Sequence, residues 1–356
     1  MARAGVKPPR IPHPRQVLLV QLRRLGDVVL TTALLEDLRR AFPHTPVDFL
    51  VGDRAAPLLE HHPLIRERLV YDRKHPVRAW RAVRRRGYDW IIDPQSSPRT
   101  APLALVSGSP VRAGFGVRGW GWVYTHRLPR SGRAVEYVAR ERQRLLELLG
   151  VEVGPVRTSL ALSAQERLSG RALLASRGIR ADGPVIALVL SAGESAKEWS
   201  PTHFGTLADG LGWAGIQVVM FEMPGDHQKV SLAAQASSVF VRIPVPGLRD
   251  FMGALAACDV LVSADTGPAH VATALRVPRV TIFGPEPPAA WAPPDDPSVI
   301  ALRAETAREL GIVPKSDPRA ATLTSQVTPS QVFEAVRTLL ARRPGFEDGA
   351  SASRSG

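Results

Sequence analysis

The chain has 356 residues, 44% hydrophobic and 22% charged, with a net charge of +13; that length holds two domains, each with its own core. Its apolar runs, such as Val185–Leu190, are too short for a membrane-spanning helix. The basic, proline-rich start lacks the apolar stretch of a signal peptide, and the single cysteine, Cys258, rules out an internal disulfide and a multi-cysteine metal site and fits a reducing cytoplasm.

Along the chain, strand-like segments at Gln16–Leu22, Val47–Val51, Arg68–Tyr71, Trp90–Asp93 and Val111–Phe115 alternate with helical patterns. The helices are expected at Asp27–Ala41, Arg54–His61, Pro76–Arg86 and Arg99–Leu105, with a longer one over Ala134–Leu149 that stops at Gly150. After a Gly/Pro-containing connection over Val151–Ser159 the alternation restarts with a helix at Ala164–Arg177. Strands at Val185–Leu190, Gln217–Phe221, Asp259–Ser263 and Arg279–Phe283 are then separated by helices at Pro201–Trp213, Gln228–Gln235, Leu248–Ala256 and Pro268–Leu275. This order predicts an α/β protein with two parallel-sheet domains, 16–155 and 156–328, followed by a C-terminal helix, 329–343. Residues 1–15 and 344–356 are expected to be a flexible start and a disordered tail.

Three segments are candidates for chemistry, each at a strand's carboxyl end, where ligands gather in open α/β sheets. In the first, Leu19–Leu35, a strand runs into a basic loop and Gly26-Asp27 opens a helix. Asp27 is either a helix-start acid or a group facing the cleft. In the second, Val189–Phe204, Ser191, Gly193 and Ser195 precede Lys197 and a Ser200-Pro201 helix start. That loop either cradles a phosphate or is an ordinary surface turn. In the third, Cys258–Trp291, a strand leads into Asp265-Thr266-Gly267-Pro268 and a small-residue helix whose free N–H groups suit a diphosphate. There Asp265 is placed to accept sugar or ribose hydroxyls, with His270 one turn on, near the phosphates. No HExxH, DxD-like pair or GxSxG elbow is present.

At these segments the chain resembles glycosyltransferase family 9, the ADP-heptose:lipopolysaccharide heptosyltransferases of Gram-negative bacteria. The matching stretches are RLGDVVLTTALLEDLRRAFP, KEWSPTHF and DTGPAHVATALRVPRVTIFGP, and the likeness runs roughly from Val17 to Leu340. The resemblance implies a GT-B fold, in which two Rossmann-like domains face each other across a cleft, acceptor in the first and nucleotide-sugar in the second. It implies an inverting, metal-independent transfer with no cofactor, the nucleotide-sugar being a substrate. Asp27 would be the general base and Lys197 would stabilise the departing diphosphate, with Thr266 and Gly267 offering backbone N–H groups. Ser191, Gly193, Asp265, Pro268 and His270 would complete the donor site. The chain departs from the family pattern at Leu190–Gly193, in the cysteine-free stretch Ala301–Thr328, and at FEMPGDHQK, where Glu222 and Asp226 compete for the ribose.

Charge is uneven: Met1–Gly150 carries 27 Lys/Arg against 13 Asp/Glu, a net of +14. A basic first half suits an anionic acceptor such as a phosphorylated glycolipid at the inner face of the inner membrane. The helix Pro76–Gly87 sets Val77, Trp80 and Val83 on one side among arginines, as an interfacial helix would, or as one covering the sheet would. The expected partners are therefore a nucleotide-sugar and an anionic glycolipid, the protein itself a cytoplasmic, membrane-peripheral monomer. Nucleic acid is not expected, because no recognition motif is present. Two rival readings remain, a transferase or epimerase of another nucleotide-sugar and a non-catalytic anion-binding protein of the same fold.

Overall fold

The computed structural model describes residues 11–130, 136–314 and 317–342. The expected tail lies outside these residues, as does most of the expected flexible start. Six parallel strands form the first sheet: β1 (Val17–Gln21), β2 (Val47–Gly52), β3 (Glu67–Tyr71), β4 (Trp90–Asp93), β5 (Val111–Gly116) and β6 (His126–Pro129), in the order β3-β2-β1-β4-β5-β6. Its helices are α1 (Leu25–Thr31), α2 (Ala33–Ala41), α3 (Pro76–Arg86), α4 (Ala101–Val106) and α5 (Val138–Leu148).

The second half opens with α6 (Ala164–Ser176) and repeats the plan with β7 (Val185–Val189), β8 (Gln217–Glu222), β9 (Val241–Pro244), β10 (Val260–Ala264), β11 (Arg279–Phe283) and β12 (Val299–Arg303). Their order, β12-β11-β10-β7-β8-β9, is the same winding read from the other edge. The intervening helices are α7 (Pro201–Trp213), α8 (His227–Ala236), α9 (Leu248–Leu255), α10 (Gly267–Leu275), α11 (Pro288–Trp291) and α12 (Glu305–Leu310), and α13 (Pro329–Ala341) closes the fold against α7, β10, β11 and β12. Each sheet reverses its winding at a central pair, β1/β4 and β7/β10, the switch point at which doubly wound sheets hold their ligands.

The central strands are legible because helices cover both their faces: every residue of β1 and of β7 is buried. The strands absent from the expected set, β6, β9 and β12, all stand at sheet edges. With one side unpaired they carry polar residues, and β6 and β9 each end in a proline.

The helix expected over Asp27–Ala41 is two helices. At Thr32 the main-chain N–H bonds to the Val29 carbonyl at 3.0 Å, and the hydroxyl bonds to the same carbonyl at 2.6 Å, breaking the four-residue ladder. The helix expected at Arg54–His61 shrinks to a 3₁₀ turn, Ala56–Leu59, around Pro57. On α3, Ala79 and Val83 are buried and Trp80 packs on the core, whereas Val77 is exposed. The stripe of α3 therefore covers the sheet, and the expected interfacial face is not formed by Val77, Trp80 and Val83 together. Among the described residues no helix is long and apolar enough to cross a membrane.

Candidate active site

The two domains meet where α1 packs against α10. A cleft of about 290 Å³ opens beside this seam. The first domain contributes Arg24, Leu25 and Gly26 to its wall, and the second contributes Ser191, Gly193, Glu194, Lys197 and Asp265–Pro268. Met223, Leu248, Phe251 and Val271 add an apolar stretch to the same wall.

The loop after β1 is set from within its own sheet. The Gln95 side-chain oxygen, just past β4, accepts the N–H groups of Leu22 at 2.8 Å and Arg23 at 3.2 Å. Asp27 then falls in the first turn of α1, where its carboxylate accepts the Arg24 N–H at 3.4 Å. Its other oxygen accepts from the guanidinium of Arg142 on α5, 2.5 Å away. Asp27 thus fills the helix-start role and keeps its side chain partly exposed, just beyond Arg24–Gly26 and not itself part of the cleft wall.

The loop after β7 is fixed by Trp199, which is buried and donates its indole N–H to the Val327 carbonyl at 2.8 Å. That anchor positions Lys197, whose ammonium lies 2.7 Å from Asp265 Oδ2 and 5.7 Å from the centre of the Trp291 ring. Burial raises the Asp265 carboxyl above the ordinary carboxylate range, against the pull of Lys197 and Arg279. Thr266 has extended backbone and Gly267-Pro268 start α10, so the unpaired N–H groups of a helix beginning stand beside a lysine.

Ser191 faces the cleft and donates its hydroxyl to Asp226, which is buried at the start of α8. Glu222, at the end of β8, is held by Arg242 and His227, each at 2.8 Å. Burial opposes ionisation of Glu222, but these two partners outweigh it and lower its pKa. Neither Glu222 nor Asp226 forms part of the cleft wall; Met223 stands there between them. His270 likewise lies one layer behind the wall. It is buried, with Nε2 4.0 Å from Asp265 Oδ1, and its ring fills the space beneath Gly26. Burial, reinforced by Arg279, Lys197 and Arg142, holds His270 well below its usual pKa, so it is neutral. It therefore supports the seam instead of offering a charge to phosphates.

Three participants were not marked by the sequence reading. Arg24 and Glu194 pair across the cleft at 3.1 Å, and loop charges of this kind carry no pattern. Arg142 did leave a signal. Ala139, Arg142, Gln143 and Leu146 are buried at helical spacing, and an arginine within such a stripe is a charge that needs a partner.

A sequence profile of glycosyltransferase family 9 (heptosyltransferase) matches residues 77–312. The chain is 24% identical over 302 residues to lipopolysaccharide heptosyltransferase 1 of Escherichia coli K12, spanning 77% of this chain and 89% of that one. Its fold is similar to that of a family 9 glycosyl transferase from Veillonella parvula, with a TM-score of 0.81, 23% identity, and 94% of this chain and 99% of that chain covered. It is also similar to the E. coli ADP-heptose lps heptosyltransferase II, with a TM-score of 0.72, 23% identity, and 92% and 99% covered. With both sheets wound alike, a cleft at their seam and a profile match over most of its length, the chain belongs to glycosyltransferase family 9, a family of heptosyltransferases.

Proposed function

We propose that this protein transfers a heptose from ADP-heptose onto the inner core of a lipopolysaccharide or a related anionic glycolipid, with inversion and without a metal or cofactor. The observation that carries this reading is the meeting of Lys197, Asp265 and the start of α10 on one cleft wall, with Arg24–Gly26, the residues that lead into Asp27, on the other. An acceptor hydroxyl attacks the anomeric carbon and a new C–O bond forms. The bond from that carbon to the diphosphate oxygen breaks, and its electron pair leaves with the nucleotide. Asp27 takes the hydroxyl proton late, when bond formation has made it acidic. Lys197 and the N–H groups of Thr266 and Gly267 meet the charge building on the diphosphate. Met223, Leu248 and Phe251 suit the flat face of a nucleobase. Ser191, Gly193, Asp265 and Pro268 border the sugar and phosphates, and the Glu222/Asp226 corner lies on the ribose side.

The basic first half favours an acceptor that carries phosphate, presented at a membrane surface. Exposed Leu105 and Trp122 are apolar groups that suit peripheral contact with such a surface. The reading is tested by thermal shift with ADP-heptose and with UDP-, GDP- and CMP-sugars, followed by nucleotide release with heptose-deficient lipopolysaccharide, with and without EDTA. Stabilisation and turnover with ADP-heptose, unaffected by EDTA, are expected. Stabilisation only by a UDP- or GDP-sugar overturns the heptosyl assignment while leaving a family 9 transferase.

A further inference from the structure

We propose that Arg142 is the positioning residue for Asp27, fixing the carboxylate's orientation and so which of its oxygens receives the acceptor's proton. This rests on the reading of Asp27 as the base. Arg142 projects from the buried face of α5 and is 4% exposed. Its guanidinium makes all its observed hydrogen bonds to one turn of α1. Nη2 donates to Asp27 Oδ1 at 2.5 Å, while Nη1 donates to the Asp27 carbonyl and to Thr31 Oγ1, the latter at 2.9 Å.

The stripe position would be filled more cheaply by an apolar side chain, since burying a guanidinium carries a desolvation cost. That cost is visible in Arg142 itself: burial lowers its pKa, and the nearby Asp27 carboxylate works against the shift. The charge gives Asp27 a fixed orientation. Oδ1 is engaged by Arg142, whereas Oδ2 has only the Arg24 N–H at 3.4 Å. Oδ2 is thus the oxygen with lone pairs to offer an incoming hydroxyl. Grip on both the side chain and the main chain of one residue also ties the carboxylate to the helix that carries it.

Other charges bear on the pair from every side. Arg130, just past β6, and Glu141 on α5 act on Arg142, whereas the Arg24 guanidinium turns to Glu194. His270, from the second domain, is neutral and sits against Gly26, with Arg279 behind it. Among these, only Arg142 donates side-chain hydrogen bonds to Asp27 in the described structure.

The test compares wild type, Asp27→Asn, Arg142→Met and Arg142→Lys for kcat and KM with ADP-heptose and heptose-deficient lipopolysaccharide, and for ADP affinity. Arg142→Met is expected to lower kcat about 10–100-fold, with the KM for the acceptor and the ADP affinity within about twofold of wild type. Arg142→Lys keeps the charge but not the fork, so kcat falls about tenfold. Wild-type kcat in folded Arg142→Met, or a kcat loss matched by an equal loss of ADP affinity, overturns the inference. Should that variant not fold, wild-type kcat in folded Arg142→Lys overturns it instead. Undiminished turnover in Asp27→Asn would sink the base assignment itself, a separate outcome.

Discussion

The ring of His270 occupies the space where a Cβ on Gly26 would stand: Cδ2 lies 2.5 Å from that position. This contact joins the helix that carries Asp27 to the helix that starts at Gly267, and so ties the two halves of the cleft to each other. Gly267 is the matching feature on the other side, since a Cβ there would lie 3.1 Å from Leu25 Cβ. Neither residue has a left-handed backbone that demands glycine; close approach of two helix starts demands it.

Gly26→Ala is accordingly expected to force the seam apart, at a cost of about 1–3 kcal/mol. Both the melting temperature and kcat should drop. In the Gly26→Ala/His270→Ala double variant, part of the lost stability should return, because the ring that clashes is gone. Calorimetry of the three variants checks this, and additive losses would show that the two residues do not share the space.

Asp27→Asn should abolish turnover by about a hundredfold or more while leaving ADP affinity unchanged. Steady-state assays with isothermal titration of ADP measure both quantities. Retained turnover would favour a base elsewhere.

Lys197→Met removes the cation from a buried carboxylate. Asp265 already has a raised pKa because of burial, and Lys197 is the largest influence opposing that rise. Without it the pKa climbs further, so the stability loss, about 3 kcal/mol at neutral pH, should shrink as the pH falls and Asp265 takes up a proton. Urea unfolding at pH 7.5 and pH 5 provides the comparison. In turnover the same variant should lose about 100-fold or more in kcat with ADP-heptose.

The Arg24–Glu194 pair spans the cleft with its arginine well exposed, so it contributes little to stability. A diphosphate entering the cleft competes with Glu194 for that guanidinium. Glu194→Gln should therefore bind ADP a few-fold more tightly at low salt, and Arg24→Gln a few-fold more weakly. In the double variant the gain from Glu194→Gln should vanish. Equal effects of Glu194→Gln with and without Arg24 would show that the two side chains act independently on the nucleotide.

His62 gives the fold an acid sensitivity remote from the cleft. Its ring bonds to the Ser159 hydroxyl at 3.0 Å and accepts the Leu64 N–H on Nδ1 at 3.3 Å. Burial pushes its pKa down from 6.5 to about 4, with the contact at Ser159 acting in the opposite direction. A depressed pKa means that the folded state resists the proton the unfolded chain accepts. The stability it contributes is full above pH 6.5 and falls by about 1.4 kcal/mol per unit from there toward pH 4. His62→Gln, whose amide can both donate and accept, should lack this component. The stability difference between wild type and variant should then move against wild type as the pH drops.

Much of this molecule is written locally. The central strands are apolar at consecutive positions because both their faces are covered, so β1, β4, β7 and β10 can be placed from residue type alone. The starts of α7 and α10 carry their own proline signals, and those signals bring Lys197 and Thr266–Pro268 to strand ends. The edge strands β6 and β9 escaped because each is short and carries an arginine and a proline, which removes the period that marks a strand. The split at Thr32 escaped because a hydroxyl turning back on its own helix leaves the hydrophobic pattern intact.

The sequence by itself determined two parallel-sheet domains, the positions of Asp27, Lys197 and Asp265 just past the carboxyl ends of strands, and the basic character of the first half. Those properties depend on neighbours within a few residues of one another, where periodicity and turn chemistry act. Only the tertiary structure decided how the residues are used. It set His270 behind the cleft wall, turned the stripe of α3 onto the sheet, engaged Ser191 with Asp226, and brought Arg142 to Asp27 from 115 positions away. Such relationships depend on which helix faces meet, and pairing between distant segments is fixed by packing of the whole chain instead of by any local preference.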